Sequence, residues 1–304
     1  MEQNLKEILI IADIEGSSGC WDYSGSSFMT EQWGRACVDM TLDVDAVTRA
    51  LLDAGVEQVT VKDFHRTGYN LLPEMLDPRV KIVCGYRRKP VPGIGDPGKA
   101  QAVMFIGMHA ASGTGGFLAH TLTSRIEKLL VNEKPMAEIE LFAASLAPFG
   151  VRPIFFSGCP IACRQAQHCV PDIEVYSIDK SFGVEKFDRQ AWRSGLAQSA
   201  VESLKNHSTR PYQPVGPFDA VVYMRDGRKA ATRAASRWGF RHDDRRIFIR
   251  ADDIHQLYLN LIRLCYLTPL IERTMPVSLL LYNFWGRIGR LWVRRRLKLI
   301  AYSS

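Results

Sequence analysis

This chain of 304 residues lacks the long apolar stretches of membrane proteins. No run reaches the roughly 18 consecutive apolar residues that span a bilayer, so no conventional membrane span is expected. The N-terminal residues include Glu2 and Glu7, and the apolar run behind them is too short and too soon acidic for a signal peptide. The sequence therefore predicts a cytoplasmic protein.

Cysteine is scarce, with an odd count of seven in the whole chain. Without an export signal, free thiols are expected rather than a disulfide framework. An even spread of charge is also lacking, because residues 225–304 hold 17 Lys and Arg against 6 Asp and Glu, whereas the rest is net acidic. No recognised nucleic-acid-binding module accompanies this basic third, so no nucleic acid is expected as a partner.

Apolar runs alternate with amphipathic stretches along the first half of the chain. The first run, residues 8–12, is almost wholly aliphatic, which is typical of a parallel strand buried on both faces. A helical pattern capped by Thr30 and closed by Gly55 follows, and a second strand begins at Val56. This β-α-β rhythm predicts an α/β fold, with a mainly parallel β-sheet flanked by helices and a second, smaller α/β portion interlocked with it. We expect a metal-binding catalytic region over residues 1–158, a second α/β region over 159–270 and a basic amphipathic tail over 271–304.

Two carboxylates separated by one residue follow the first run. If the strand continues through them, its two-residue period puts Asp13 and Glu15 on the same side, and Gly16 permits a sharp exit. Two acidic groups this close repel each other unless a positive charge lies between them. A bound cation is the simplest explanation, and a turn whose acids are merely solvated is the alternative.

Further metal-binding side chains end other predicted strands. His65 closes the second strand and His109 closes the strand that begins at residue 102, and ligands gather at the carboxyl ends of parallel strands. Glu138, in the first turn of a later helix, completes a set of five nitrogen and oxygen ligands. Such a set suits two divalent transition ions, with zinc first among them. Histidines that only form structural hydrogen bonds are the alternative.

Five short motifs resemble, in order and spacing, those of the zinc-dependent D-aminopeptidases of the dipeptide-operon type. The motifs occupy residues 12–19 (ADIEGSSG), 63–65 (DFH) with 70–72 (NLL), 105–110 (FIGMHA), 118–121 (LAHT) and 131–138 (VNEKPMAE). The likeness covers residues 8–157 and continues more weakly through 254–267. It implies an enzyme that cleaves the N-terminal residue from short peptides beginning with a D-amino acid. It also implies a ring-like homo-oligomer, which is a homodecamer in the type case.

The resemblance implies a role for each site residue. The ligands of two Zn²⁺ ions per subunit would be Asp13, Glu15, His65, His109 and Glu138. Asp13 would bridge the two ions. Another divalent transition metal in place of zinc is the alternative. His120 is implied as the catalytic histidine, as a proton shuttle, a stabiliser of the tetrahedral intermediate or a nucleophile.

Asp63 lies two residues before His65 and on the same side of the strand. We expect it to orient that histidine from behind, and a solvated strand-end acid is the alternative. For the whole protein, a related zinc amidase or dipeptidase with another substrate is the alternative activity. A non-catalytic, membrane-associated scaffold that retains the fold is the alternative from a different class.

One departure from the family pattern follows the predicted strand 151–157. The family tends to have acidic residues there, whereas this chain has Cys159 and Cys163, with His168 and Cys169 beyond them. A second metal site or a redox pair is one interpretation, and thiols packed in a helix are the other. Because this loop borders the expected pocket, substrate preference is the property that it affects.

The second departure is the tail, whose helical wheel separates apolar from basic residues. One face holds Leu281, Trp285, Ile288 and Trp292, and the opposite face holds Arg287, Arg290, Arg294 and Lys298. This pattern suits peripheral contact of residues 277–300 with an anionic membrane surface. Packing of the apolar face on the core or on a neighbouring subunit is the alternative. Gly286 and Gly289 each weaken an isolated helix by about 1 kcal/mol.

Overall fold

The computed structural model describes residues 5–303, with side chains up to residue 297, and contains two β-sheets surrounded by helices. The strands are β1 (Glu7–Ala12), β2 (Gln58–Asp63), β3 (Lys81–Val83), β4 (Ala102–Met108), β5 (Ile126–Val131), β6 (Lys134–Pro135), β7 (Arg152–Gly158), β8 (Glu174–Ser177), β9 (Phe218–Met224), β10 (Arg241–Asp243) and β11 (Arg246–Ala251). The α-helices are α1 (Tyr23–Ser26), α2 (Glu31–Asp53), α3 (Glu138–Leu146), α4 (Pro160–Cys169), α5 (Arg189–Glu202), α6 (Gly227–Ser236), α7 (Ile254–Tyr266), α8 (Pro269–Arg273) and α9 (Met275–Ser303). Glu2 and the side chain of Lys298 lie outside the described residues.

The larger sheet is wholly parallel and has the strand order β3-β2-β1-β4-β7-β8. Its central strand β1 is buried on both faces, as its aliphatic sequence predicts. Ile8 and Ile10 pack into the core that includes α2 and α5, whereas Leu9 and Ile11 pack into the core that includes α3 and α7. Helices therefore cover both faces of a parallel sheet, and the predicted α/β class is confirmed.

The smaller sheet is antiparallel and has the order β10-β11-β9-β5-β6. It takes β5 and β6 from the chain before residue 158, whereas the larger sheet takes β8 from the chain after it. The two sheets are therefore interlocked. The boundaries at residues 158 and 270 stay predictions about regions of the sequence, and they do not separate one sheet from the other.

Local signals in the sequence account for several element ends. The Thr30 side chain accepts a hydrogen bond from the Trp33 backbone N–H at 3.0 Å and begins α2, and Gly55, with φ +97°, follows its end. Between β2 and β3 the chain forms a single 3₁₀ turn at Pro73–Met75, with a proline at its first position. The sequence does not predict helix α6, because its alanine-rich stretch contains few large apolar residues that would reveal a helical period.

Helix α9 continues through both glycines that are expected to weaken it. A Cβ on Gly286 would lie 2.3 Å from Tyr69 Cδ2, and one on Gly289 would lie 2.4 Å from the ring of Phe28. The missing side chains let the helix axis approach the body of the protein closely. Tertiary contact thus outweighs the intrinsic helix propensity of glycine.

The buried face of α9 matches the predicted apolar face only in part, at Trp292, which stacks on Trp33 with ring centroids 6.2 Å apart. It runs through the two glycines and Val293, whereas Leu281 and Trp285 of the predicted apolar face are 63% and 49% exposed. On the predicted basic face, Arg294 forms a two-pronged ion pair with Glu74 at 2.7 and 2.6 Å. No helix within residues 5–303 combines the length and the apolar composition needed to cross a bilayer.

Candidate metal centre

The strand order of the parallel sheet reverses direction beside β1. Strands β2 and β3 lie on one side of β1, and β4, β7 and β8 lie on the other. The crevice at the carboxyl ends of strands at such a switch point is where α/β proteins bind ligands. Asp13 and Glu15 follow β1, His65 follows β2 and His109 follows β4, so these side chains meet at that crevice.

Two glycines bring the segment after β1 into contact with the end of β4. The Gly16 N–H donates to the Gly107 carbonyl at 2.7 Å. A Cβ on Gly16 would lie 2.2 Å from the Met108 carbonyl oxygen, and one on Gly107 would lie 2.2 Å from the Asp13 carbonyl oxygen. Gly107 also has φ +73°, whereas Gly16 lies outside the left-handed region. Gly16 lies in the expected sharp turn after β1, where the Ser17 N–H donates to the Ile14 carbonyl at 3.1 Å, but the close approach to β4, and not a left-handed φ, is what requires a glycine there.

The five predicted ligands lie together, and none is more than 6% exposed. His109 Nε2 lies 3.5 Å from Asp13 Oδ2, 3.8 Å from Glu15 Oε2 and 3.6 Å from Glu138 Oε1. His65 Nε2 lies 3.7 Å from Glu15 Oε1. Glu15 belongs to a turn rather than to β1, which ends at Ala12, yet its carboxylate faces the same crevice as that of Asp13.

Two groups of ligand atoms share Asp13. Asp13, Glu15 and His65 offer atoms within 4.8 Å of one another, and so do Asp13, His109 and Glu138. A third group, Glu15, His109 and His120, meets the same distance criterion without Asp13. A carboxylate common to two groups is the arrangement that holds two ions about 3.5–4 Å apart. The geometry is thus compatible with the predicted bridging role of Asp13, and the roles of all five residues as ligands stay predictions.

The spacing of these atoms fits a tetrahedral ion. Ligands about 2.1 Å from such an ion lie about 3.4 Å from each other. The separations of 3.5–3.8 Å around His109 Nε2 are close to this value and longer than usual hydrogen bonds. Within residues 5–303, His109 Nε2 is buried without a hydrogen-bond partner. A cation between the imidazole and the carboxylates would satisfy this nitrogen.

The electrostatics of the cluster also call for positive charge. Burial raises the pKa of Glu15 well above its usual value, and the Asp13 carboxylate adds to the rise. Burial lowers the pKa of His65 to about 4. Burial alone would lower the pKa of His109, but the neighbouring carboxylates, Glu138 first among them, raise it. Burial alone would raise the pKa of Glu138, but the neighbouring His109 lowers it to about 2. The buried carboxyl groups thus favour positive charge beside His109, which divalent cations would supply.

His65 is held from behind by Asn70. The Asn70 Nδ2 donates to the His65 carbonyl and to Asp63 Oδ1, both at 2.8 Å, and Asn70 Oδ1 lies 3.3 Å from His65 Nδ1. A proton on Nδ1 then leaves the lone pair of Nε2 directed into the crevice. Asp63 accepts further hydrogen bonds from the backbone of Asn70 and Leu71. Asp63 therefore reaches His65 through Asn70, and its role in orienting that histidine stays a prediction. Asn70 is a positioning residue whose role could not be assigned from the sequence.

His120 lies in a strained loop over the ligands. Its flanking residues Leu118 and Leu122 have φ +46° and +62°, which only stabilising contacts maintain in residues other than glycine. The His120 Nδ1–H donates to the Leu118 carbonyl at 2.8 Å, so Nε2 is free to accept a proton and lies 3.8 Å from Glu15 Oε1. The ring stacks on that of His109, with centroids 3.9 Å apart. Burial and the neighbouring His109 lower the pKa of His120.

The family model of the D-aminopeptidases, peptidase family M55, matches residues 7–262. The chain belongs to this D-aminopeptidase family. The match confirms the resemblance that the five motifs carry.

A curated sequence and a solved structure, both from Bacillus subtilis, are similar to this member of the D-aminopeptidase family. A D-aminopeptidase from strain 168 is 24% identical over 178 residues, which make up 58% of this chain and 64% of that protein. The match thus spans less than two thirds of the relative. A solved structure, that of the Zn-dependent D-aminopeptidase DppA, described as a self-compartmentalizing protease, has a TM-score of 0.76 at 20% identity, over 85% of this chain and 96% of the other. At this identity the likeness shows a shared fold.

The candidate site of this D-aminopeptidase family member is the floor of one cavity of about 980 Å³. All five predicted ligands and His120 line it. Three arginine side chains, those of Arg66, Arg125 and Arg225, also line the cavity, and the helices after residue 257 add a largely apolar wall. The arrangement places a polar, metal-binding floor within reach of a bound organic molecule.

The cysteines that depart from the family pattern are packed in and around α4. Cys159 and Cys163 are each only 4% exposed, and burial raises the pKa of Cys163 to about 12. All seven cysteines are free thiols. In the described part of the chain, the groups of side chains suited to a metal contain no cysteine. These observations favour packed thiols over a second metal site or a redox pair.

Lys180 is a second positioning residue that the sequence did not reveal. Its Nζ donates to the carbonyls of Glu15 and Ser17 at 2.8 Å each, and also to that of Cys20. Burial lowers the pKa of this ammonium to about 8. The lysine thus fixes the loop that carries Glu15. No motif marks it, because its partners lie 160 or more residues away in the sequence.

Proposed function

We propose that this protein is a zinc-dependent aminopeptidase that removes the N-terminal residue, preferably a D-residue, from short peptides. The observation that carries the proposal is the pair of ligand groups that share Asp13, beside the free Nε2 of His120 in the same cavity. Membership of the D-aminopeptidase family supports the activity, and the description of the solved relative as Zn-dependent supports the metal. Asp13, Glu15 and His65 would hold one Zn²⁺, and Asp13, His109 and Glu138 the other.

Zinc, when bound, supplies an activated water at neutral pH and polarises the scissile carbonyl. The protein's own groups orient the reaction. The His109 Nδ1–H faces the Ala110 carbonyl at 3.2 Å, which keeps its Nε2 toward the carboxylates. His120, with its proton fixed on Nδ1, can accept the proton of the attacking water at Nε2 and deliver it to the leaving amine. This geometry favours a proton shuttle among the three roles left open for His120.

The same centre would serve a related zinc amidase or dipeptidase, so the substrate separates these alternatives. A non-catalytic scaffold is disfavoured by the free energy that burying the charged side chains of this site costs the folded protein. Burying the carboxylates of Asp13, Glu15 and Glu138 together is unfavourable unless a counter-charge accompanies them. A protein that only bound a partner elsewhere would have no need for this cluster.

Replacement of His120 by alanine tests the proposed chemistry. We expect kcat/KM for alanine amide to fall by about 100-fold or more, because the proton shuttle is lost. The zinc content should stay at the wild-type level, because the two groups that share Asp13 remain intact; a ligand role through the third group, with Glu15 and His109, would instead lower it. Elemental analysis and hydrolysis of D-alanine amide and L-alanine amide measure both quantities. His168→Ala, at an exposed histidine of α4, is the matched control and should leave activity unchanged.

Each remaining outcome of that experiment is informative. A zinc-loaded wild-type protein that hydrolyses neither amide would contradict the proposed activity. Faster turnover of L-alanine amide would overturn the preference for a D-residue while leaving an aminopeptidase. Loss of zinc from His120→Ala would make this histidine a ligand instead of a proton shuttle.

The description of the solved relative as self-compartmentalizing supports assembly of this chain into a ring-like homo-oligomer. Ten subunits is the number that the family resemblance implies. In such an assembly the substrates would be limited to short peptides, because an enclosed chamber admits folded proteins poorly.

The exposed side of α9 supports a peripheral contact with an anionic membrane surface. We define this outer face by large apolar side chains that are 52–70% exposed, namely Val277, Leu280, Leu281, Phe284 and Leu291. Residues 275–303 contain six Lys and Arg and no Asp or Glu, and of these Arg294 pairs with Glu74 and Arg296 lies 3.8 Å from Glu31. Pairing two such faces between copies would bring like charges together, whereas anionic lipid complements them. The cytoplasmic location predicted from the sequence would place the inner leaflet within reach, and it stays a prediction.

A further inference from the structure

One wall of the cavity above the metal centre is formed by residues that lie beyond the match to the family model. The wall consists of Tyr266, Leu267, Ile271, Met275, Leu279 and Tyr282, from the end of α7, α8 and the first two turns of α9. All six residues lie beyond residue 262, where the match to the D-aminopeptidase family ends. This side of the cavity is therefore built by a segment to which the family pattern assigns no role.

The wall differs in chemistry from the rest of the cavity. The lining residues from position 258 onward include no charged side chain, whereas the floor is made of carboxylates and imidazoles, and Arg66, Arg125 and Arg225 also line the cavity. A ligand group that faces the wall can lose water without leaving a charge unpaired. Such a surface binds an apolar group and rejects a charged one.

The wall is fixed to the catalytic floor. The Tyr266 hydroxyl donates to the Leu122 carbonyl, and the Leu122 N–H donates to Glu138 Oε1 at 2.6 Å. The wall is thus linked through one residue to a predicted metal ligand and to the loop that carries His120. A substrate held at the floor would therefore meet the wall at a set distance.

The helices of the wall are also anchored to each other and to the body. Arg263 Nε pairs with Glu272 Oε1 at 3.0 Å, which ties α7 to α8. The Tyr86 N–H donates to Asn283 Oδ1 at 3.2 Å, and the close approach at Gly286 holds the next turn of α9. The first turns of α9 are consequently a preformed surface, which reduces the entropic cost of binding against them.

We infer that the segment from Tyr266 to Tyr282 forms the subsite for an apolar side chain of the substrate, with Leu279 as a specificity-determining residue. This inference rests on the proposed function and specifies its substrate class as short peptides with a large apolar residue, rather than a charged one, next to the scissile bond. Leu279 lines the cavity, whereas its neighbour Leu280 is 70% exposed on the outer face. The two leucines therefore form a matched pair of neighbouring residues, one directed into the cavity and one exposed to solvent.

The test places a carboxylate on each side of α9 in turn. For Leu279→Asp we expect the ratio of kcat/KM for leucine amide to that for alanine amide to fall about tenfold, mainly because KM for leucine amide rises. The ratio of kcat/KM for lysine amide to that for leucine amide should rise in the same variant. Leu280→Asp should leave all three values at the wild-type level. Leu279→Met preserves volume and apolar character, and it should retain the wild-type ratio.

A second readout separates this inference from the proposed activity. In the inactive His120→Ala background, calorimetric titration with leucine amide should show weaker binding after Leu279→Asp and unchanged binding after Leu280→Asp. An unchanged substrate ratio in Leu279→Asp, or an equal loss for all amides, would overturn the subsite. Wild-type protein without turnover but with tighter binding of leucine amide than of alanine amide would refute the proposed activity and still support the apolar subsite.

Discussion

Asn70 holds His65 from behind, and Lys180 holds the loop that carries Glu15. At the scale of single residues, the centre thus depends on side chains that are not predicted ligands. Gly107 contributes by having no side chain, because the Asp13 carbonyl occupies the space that a Cβ would need. The position of each ligand is fixed by hydrogen bonds and by the absence of steric obstruction, in addition to its own backbone.

Replacement of Gly107 by alanine tests this dependence. We expect a loss of about 2–4 kcal/mol in the free energy of unfolding, since the change combines a left-handed φ with a contact that cannot be relieved without moving Asp13. Zinc content should fall in the same variant. Urea unfolding and elemental analysis would measure the two effects.

Gly98 offers the matched control for that change. It has φ +62°, but the space that a Cβ would occupy has no neighbouring atom within 4 Å, so alanine there should cost only about 1 kcal/mol and leave zinc binding intact. Equal effects of Gly107→Ala and Gly98→Ala would show that the close approach to Asp13 is unimportant.

At the scale of elements, α9 combines two surfaces with different tasks. Its inner side packs on the body through Gly286, Gly289 and Val293, and its first turns line the cavity. The Arg294–Glu74 pair fastens its later turns to the loop after β2. A helix that an isolated sequence would hold only weakly is thus stabilised by docking.

The Glu74 contact predicts a defined pH dependence. The Arg294 side chain lowers the pKa of Glu74 below its usual value of 4.5, so the pair stabilises the fold above that pH and loses its effect as the pH falls through the folded-state pKa. Glu74→Gln should lower stability at pH 7 by less than about 1 kcal/mol, because the pair is partly exposed, and the difference from wild type should vanish in acid. Urea unfolding of both proteins between pH 7 and pH 3 measures this difference.

The partner variant completes that experiment. Arg294→Met should show the same loss at pH 7, and the double variant should lose no more than either single variant. A gap between wild type and Glu74→Gln that widened in acid would have the opposite sign and would exclude this ion pair as its cause.

At the scale of the whole molecule, the interlocked sheets bring residues from distant parts of the chain to one crevice. The parallel sheet supplies Asp13, His65 and His109 at its switch point, and α3 adds Glu138. The C-terminal helices then close one side of the cavity with their inner surface and leave the outer face of α9 exposed. The two sides of this helix can therefore be tested separately.

Vesicle binding tests the outer face. The protein should co-sediment with phosphatidylglycerol vesicles and only weakly with phosphatidylcholine vesicles, and added salt should reduce the binding. The double variant Leu280→Asp/Phe284→Asp should lose the binding and keep amide hydrolysis. If the double variant instead lowers the molar mass of the assembly in light scattering, the outer face is a contact between copies of the chain and not a membrane contact.

The sequence by itself determined the α/β class, the family and the set of polar side chains at the floor of the cavity. Strand periodicity and strand-end chemistry are local properties, and the five motifs keep their order along the chain. The sequence could not assign Lys180, the close approach at Gly286 or the wall that includes Leu279. Only the tertiary structure decided these features, because each depends on contacts between segments far apart in the chain. A helical wheel shows how polar each side of a helix is, but it contains no information about which part of the protein each side contacts.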